Sequence, residues 1–135
     1  LASRLEGQSK SYHVGTVIGE ETHKQATGYA MLELDLIAVK GKKEAVRIFT
    51  LVGRPDVARD PVFVELRALT ERMLAAYRGQ RWDEAEGLMA ECRKDAEAQG
   101  LGLDKLYHLY EERVAACRAE PPAPDWDGVF TATTK

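Results

Sequence analysis

The hydrophobic period of this chain changes near Pro61, and that change limits the folds open to it. Before it, Leu32, Leu34 and Leu36 alternate with Glu33 and Asp35, the period-two signature of a strand with one buried face. The run "EAVRIFTLV" is its natural antiparallel partner, and the short glycine-containing connection "KGKK" suits a hairpin. After it, Phe63, Leu66, Leu69, Met73 and Tyr77 recur every three or four residues as one helical stripe. Trp82, Ala85, Leu88, Met89 and Cys92 form a second stripe, and Leu103, Leu106, Tyr110, Val114 and Cys117 a third, with "RGQ" and "QGLG" as the breaks.

The remaining segments fill in an α+β chain. "LASRLEGQSKSY" has Leu1 and Leu5 one helical turn apart and reads as a helix. "VGTVIG" is a short β-branched run and reads as a strand. "EETHKQAT" tolerates a helix, which Gly28 would close. "GRPDVARDP" (53–61) carries glycine, two prolines and unpatterned charge, so it reads as a linker. The tail "PPAPDWDGVF" is too rich in proline for a helix, and Trp126 and Phe130 are its natural anchors on the helices.

Composition excludes several functions. With 19 basic and 22 acidic residues the net charge is -3, which argues against general nucleic-acid binding. No apolar run approaches the roughly 20 residues that span a bilayer, and the polar first residues do not read as a signal peptide. Cys92 and Cys117 share no metal-ligand spacing and both fall in helical stripes. They read as reduced thiols of a cytoplasmic protein. Residues 1–60 carry 9 basic and 8 acidic side chains, while the rest carry 10 and 14, so the two parts differ in electrostatic character.

Polar chemistry concentrates at two places. Lys40, Lys42 and Lys43 surround Gly41 at the hairpin tip, and Arg4 lies on the first helix. Alone, these read as a solubilising turn and a solvated helix residue. The alternative for the lysine cluster is to hold something anionic, with lysines as mobile point charges. His13, His23 and His108 are scattered without partners at ligand spacing. "GLG" (100–102) lies between helices with no preceding strand and is no dinucleotide loop.

Two resemblances extend this reading. "MLAAYRGQRWDEAEGLMAECRKDAE" resembles one tetratricopeptide-type repeat, with Ala76 and Ala85 letting two antiparallel helices approach closely. One repeat does not make an array, so a helical hairpin with a third packing helix is expected. Further upstream, "LASRLEG", "TVIGE" and "ELDLIAVKGKKEAVRIFTLVG" resemble the last third of a class III adenylate/guanylate cyclase catalytic domain. In that family a helix carries Asn-x-x-x-Arg, often within V-N-L-A-S-R-L-E, and a strand ends in an L/V-K-G-K turn. Ala45 departs from the proline that many relatives have after the turn.

The resemblance implies that Arg4 is the catalytic arginine and that Lys40, with Lys42 second, contacts the triphosphate of ATP or GTP. It implies that no metal is bound by this part, since the metal aspartates of the family lie on earlier strands. Mg²⁺ or Mn²⁺ would belong to the whole protein. It also implies a head-to-tail homodimer, with contributions from this segment to one side of a shared site. An uncovered hairpin edge would favour such self-association. "PPAPDWDGVF" resembles the end of bacterial cyclases that carry helical extensions.

The expected organisation is therefore a C-terminal cyclase portion (1–53), a linker (54–61), a tetratricopeptide-like helical region (62–120) and a proline-rich tail (121–135). This segment is not expected to be active alone. The alternative, from a different functional class, is a helical protein-interaction or oligomerisation module that regulates the parent protein. Neither reading involves nucleic acid or membrane contact by this segment.

Overall fold

In a computed structural model, residues 12–25, 28–39, 45–126 and 128–132 are described. The elements in chain order are β1 (Ile18–Gly19), α1 (Glu20–Gln25), β2 (Ala30–Val39), β3 (Ala45–Gly53), α2 (Pro55–Ala58), α3 (Pro61–Arg78), α4 (Trp82–Ala98), α5 (Asp104–Ala119) and β4 (Phe130–Ala132). The class is α+β. The sheet order is β1-β3-β2-β4. β3 pairs antiparallel with both β1 and β2, and β4 joins β2 in parallel.

The β2–β3 register holds the key irregularity. Glu33 pairs with Phe49, but Asp35 pairs with the next residue back, Ile48, so Leu34 is an extra residue in a β-bulge. A one-residue offset exchanges the faces of everything after it. Alternation alone would turn both acids to solvent. Instead Asp35 and Ile37 are fully buried, while Leu36 is only half-buried.

The "linker" is structured. Pro55–Ala58 forms a helical turn, α2, and Asp60 then caps α3 by accepting from the Val62 amide at 3.0 Å, with Pro61 in the first turn. At the other end of α3 the amides of Gln80 and Arg81 donate to the carbonyls of Tyr77 and Ala76. This is a Schellman turn in which Gln80, not glycine, takes the left-handed conformation (φ 60°). α4 ends in the same turn with Gly100 at that position (φ 66°).

The three long helices close over the sheet. Phe63, Leu66, Met73 and Tyr77 from α3 are buried with Leu88, Met89 and Cys92 from α4. Leu106, Tyr110 and Val114 from α5 join Leu32, Leu34, Ile37 and Ile48 of the sheet in the same continuous core. Within it Thr70 shares a 2.9 Å hydrogen bond with the Tyr107 hydroxyl.

The hairpin edges, expected to be open, are covered by the chain itself. β4 pairs with Ile37, Ala38 and Val39. On the other side β1 pairs with Ile48 and Phe49, the Leu51 amide donates to Thr16 Oγ1 at 3.2 Å, and the Arg47 amide donates to Glu20 Oε1 at 3.0 Å. Side chains that take up edge amides in this way leave little to pair with a second chain. No helix among the described residues is long and apolar enough to cross a membrane.

Candidate functional site

Arg4, Lys40 and Lys42 lie outside the described residues, as does Lys43. What is described is the frame next to the lysines. β2 runs to Val39, β3 resumes at Ala45, and Ala38 pairs with Ala45. The five residues 40–44 therefore join the paired ends of two antiparallel strands.

Five residues before Lys40, a polar clamp holds β2. The Asp35 carboxylate is fully buried. Arg113 Nη1 of α5 donates to its Oδ2 at 2.6 Å, the Tyr12 hydroxyl donates to the same oxygen at 2.5 Å, and the Leu36 amide donates to Oδ1 at 2.8 Å. Arg113 Nη2 also donates to the Tyr12 oxygen at 3.2 Å. One turn earlier on α5, the Tyr110 hydroxyl donates to the carbonyl of Leu34, the bulge residue.

The guanidinium of Arg113 is walled by aromatic rings. Its central carbon stands 3.8 Å from the centre of the Phe130 ring, 5.0 Å from Tyr110 and 5.3 Å from Tyr12, cation–π geometry in a desolvated setting. Burial works against the charge of Arg113, but Tyr110, Asp35 and Tyr12 outweigh it and raise its pKa. Burial, reinforced by the Asp35 charge, drives the Tyr12 and Tyr110 hydroxyls far above the ordinary phenol range. Tyr77 is pushed up to about 12, chiefly by burial.

A second carboxylate is likewise engaged. Arg47 Nη1 donates to Glu33 Oε2 at 2.6 Å, and Arg78 Nη2 comes within 2.8 Å of the same oxygen. That second approach is ionic without hydrogen-bond alignment, because Arg78 Nε and Nη2 are buried with no hydrogen-bond partner among the described residues. Glu33 and Asp35, the two acids of β2, are thus held by arginines. Among the described residues no group of three His, Cys, Asp or Glu side chains is placed to hold a metal ion.

The tail completes this region. The Trp126 ring meets Tyr77 edge-on, with centroids 5.4 Å apart, and Gln80 Nε2 donates to the Ala123 carbonyl at 2.8 Å. Between the tail and α5 lies a cleft of about 300 Å³ lined by Tyr77, Arg113, Cys117, Trp126 and Phe130 among others. A shallower cleft of about 440 Å³ lies at the α3–α4 turn beside Trp82 and Arg118. Arg118 there is occupied by Asp83 at 2.5 Å and Glu86 at 2.6 Å.

Sequence reasoning missed Arg113, Tyr12 and Tyr110 as a group. A signal for Arg113 exists, since it sits between Tyr110 and Val114 of an apolar stripe, where a cation needs a buried partner. Nothing in the sequence names Asp35 as that partner, because the bulge that turns it inward is not legible there. Comparison with protein-family models, with curated proteins and with solved structures gives no match to this chain.

Proposed function

We propose that this chain is the C-terminal portion of a class III nucleotide cyclase with a helical extension. In this reading the 3′-oxygen of ATP or GTP attacks the α-phosphorus, the bond to the bridging oxygen of the β-phosphate breaks, and pyrophosphate leaves. Arg4 meets charge that develops in the transition state, and Lys40 and Lys42 hold the triphosphate. The observation that carries the reading is the hairpin: Ala38 pairs with Ala45, so "VKGKKEA" spans a hairpin connection, as the Lys-Gly-Lys turn of the resemblance requires.

Mg²⁺ or Mn²⁺, when bound, would stabilise the phosphate charge through carboxylates that the resemblance assigns to earlier strands. Glu33 and Asp35, the acids of β2, are committed to arginines. The helical region acts as a cap. Its apolar stripes end on the sheet and on one another, which favours support over an open docking groove for a regulatory partner. A head-to-tail dimer rests on the family resemblance, because both hairpin edges are occupied within the chain. Light scattering at low micromolar concentration tests it: a single species at 15.0 kDa removes self-association of this segment.

The deciding experiment is a product assay with ATP, GTP and Mn²⁺ on a protein that carries this chain together with its upstream region. Cyclic nucleotide is expected from the longer protein and none from this chain alone. Arg4→Ala should lower kcat about 10²–10³-fold with little change in KM. A longer protein that makes no cyclic nucleotide, or an Arg4→Ala variant with unchanged kcat, overturns the reading.

A further inference from the structure

The cleft of about 300 Å³ between α5 and the tail joins two kinds of surface. Trp126 and Phe130 of the tail and Ala116, near the end of α5, are apolar. Tyr77 and Arg113 are polar and mostly buried, with Tyr77 2% exposed and the Arg113 side chain 12%. Apolar walls with a few convergent polar groups are the usual make-up of a small-molecule site, and such sites begin near about 300 Å³. The space suits one ring with a short substituent.

The charge of the lining limits what can enter. Arg113 supplies a cation, but Asp35 already neutralises it at 2.6 Å. A carboxylate or phosphate in the cleft would be a second anion against one buried cation, leaving net charge where solvent is scarce. A cationic ligand would face the Arg113 guanidinium instead. Glu120, the acid among the described lining residues, is exposed and screened by water, so it offsets little of that repulsion. An uncharged ligand incurs neither cost. An arginine presents five N–H donors, and the bonds to Asp35 and Tyr12 use two of them. The guanidinium thus keeps donor capacity for a neutral acceptor. The Tyr77 hydroxyl lies close enough for the Arg113 charge to act on it, and it is the second polar group of the wall. The remaining large groups there are aromatic, which suits a flat ring.

The geometry points to a binding site for an uncharged single-ring aromatic compound that bears a carbonyl or amide oxygen. The ring sits among Trp126, Phe130 and Ala116, and the oxygen accepts from Arg113. Trp126 and Phe130 line the cleft only while the tail is docked, so the ligand favours the docked tail by mass action. Phe130 is also the first residue of β4, which pairs with Ile37, Ala38 and Val39. Occupancy therefore holds that edge of the sheet closed.

Benzamide is the probe, titrated into this chain at pH 7 and followed by backbone amide resonances. Benzoate and benzylammonium have nearly the same shape and opposite charges, and serve as comparisons. Benzamide should shift the amides of Ala116, Cys117 and Phe130 saturably, with a Kd on the order of 1–10 mM for so small a ligand. Each charged analogue should bind at least about tenfold more weakly. Ala116→Leu puts a larger side chain into the cleft from an exposed helical position, so it should abolish binding with the fold intact. With benzamide at about ten times its Kd, amide exchange in β4 should slow about tenfold. No saturable shift at those three amides, or shifts confined to the cleft beside Trp82, overturns the proposal. So does equal affinity for either charged analogue, or full affinity in a folded Ala116→Leu variant. Unchanged exchange in β4 with benzamide bound overturns the coupling to the tail.

Discussion

Arg113 Nη1 lies 2.6 Å from Asp35 Oδ2, joining positions 78 residues apart. The carboxylate is fully buried and the arginine nearly so, so each charge depends on the other. Removing one leaves the second uncompensated in a low-dielectric interior. Arg113→Ala is expected to lower unfolding stability by about 3–5 kcal/mol. The double variant Asp35→Leu with Arg113→Met should cost far less than either single change. Urea unfolding of the three variants checks this, and equal losses for single and double variants would count against a true pair.

Alkaline pH should unfold the chain progressively from about pH 9. Burial pushes the Cys92 thiol up from 9.0 to about 11, with the nearby Thr70 hydroxyl only partly offsetting it. The folded chain holds this proton more tightly than the unfolded chain does. Stability from this group is therefore complete below pH 9 and is lost as pH rises through 11. The buried hydroxyls of Tyr12, Tyr107 and Tyr110 shift in the same direction and steepen the loss at higher pH. Cys92→Ala should flatten the fall between pH 9 and 11, measured as the urea midpoint across that range.

Tail docking should fail in a Gly128→Ala variant. Gly128 has φ 82°, and a Cβ there would come within 2.3 Å of Arg78 Cγ. The left-handed conformation alone costs a non-glycine residue roughly 1–2 kcal/mol. The total loss cannot exceed what the docked tail contributes, so the tail should come free rather than the core unfold. A red shift in tryptophan emission and faster exchange at Val39, with helical circular dichroism retained, are the expected signs.

Gln80→Gly presents two opposed effects. It relieves a non-glycine residue of φ 60°, which favours the variant by about 1 kcal/mol. It also deletes the bond from Gln80 Nε2 to Ala123, so tail protection should fall while the melting temperature holds or rises. A drop in both would mean that the side chain matters more to the α3–α4 turn than to the tail.

Among the aromatic residues, Tyr77 should matter more than Trp82. Tyr77 is buried at the meeting point of Trp82, Tyr110 and Trp126, and Tyr77→Ala should cost about 3–5 kcal/mol. Trp82 is only half-buried, with its ring 6.1 Å from Tyr77. Its replacement by Ala should cost about 1–2 kcal/mol, the weight of one aromatic pair and partial burial. Thermal melts of the two variants rank them directly.

The helices were legible because their signal is local. Phe63, Leu66, Met73 and Tyr77 carry a period that only a helix can bury on one side, and each proves buried. The hairpin was legible for the same reason, through alternation and a short polar connection. Leu69, Trp82 and Cys117 share those stripes yet are only partly buried, since periodicity states direction but not depth. The "linker" concealed α2 because a single helical turn that begins at Pro55 is too short to show a period.

Tertiary structure alone decided the rest. Which face Asp35 takes follows from the bulge at Leu34, and there Tyr110 holds the Leu34 carbonyl and Arg113 the Asp35 carboxylate from a helix beyond three intervening ones. A strand read by itself has two registers of similar local energy, and long-range partners select between them. The return of Phe130–Ala132 to the β2 edge has the same origin. Three residues do not specify a strand locally, but Trp126 on Tyr77 and Phe130 on Arg113 hold them where the unpaired amides and carbonyls of Ile37–Val39 are waiting. Local period thus determined the elements, and desolvated charge and edge pairing determined how they meet.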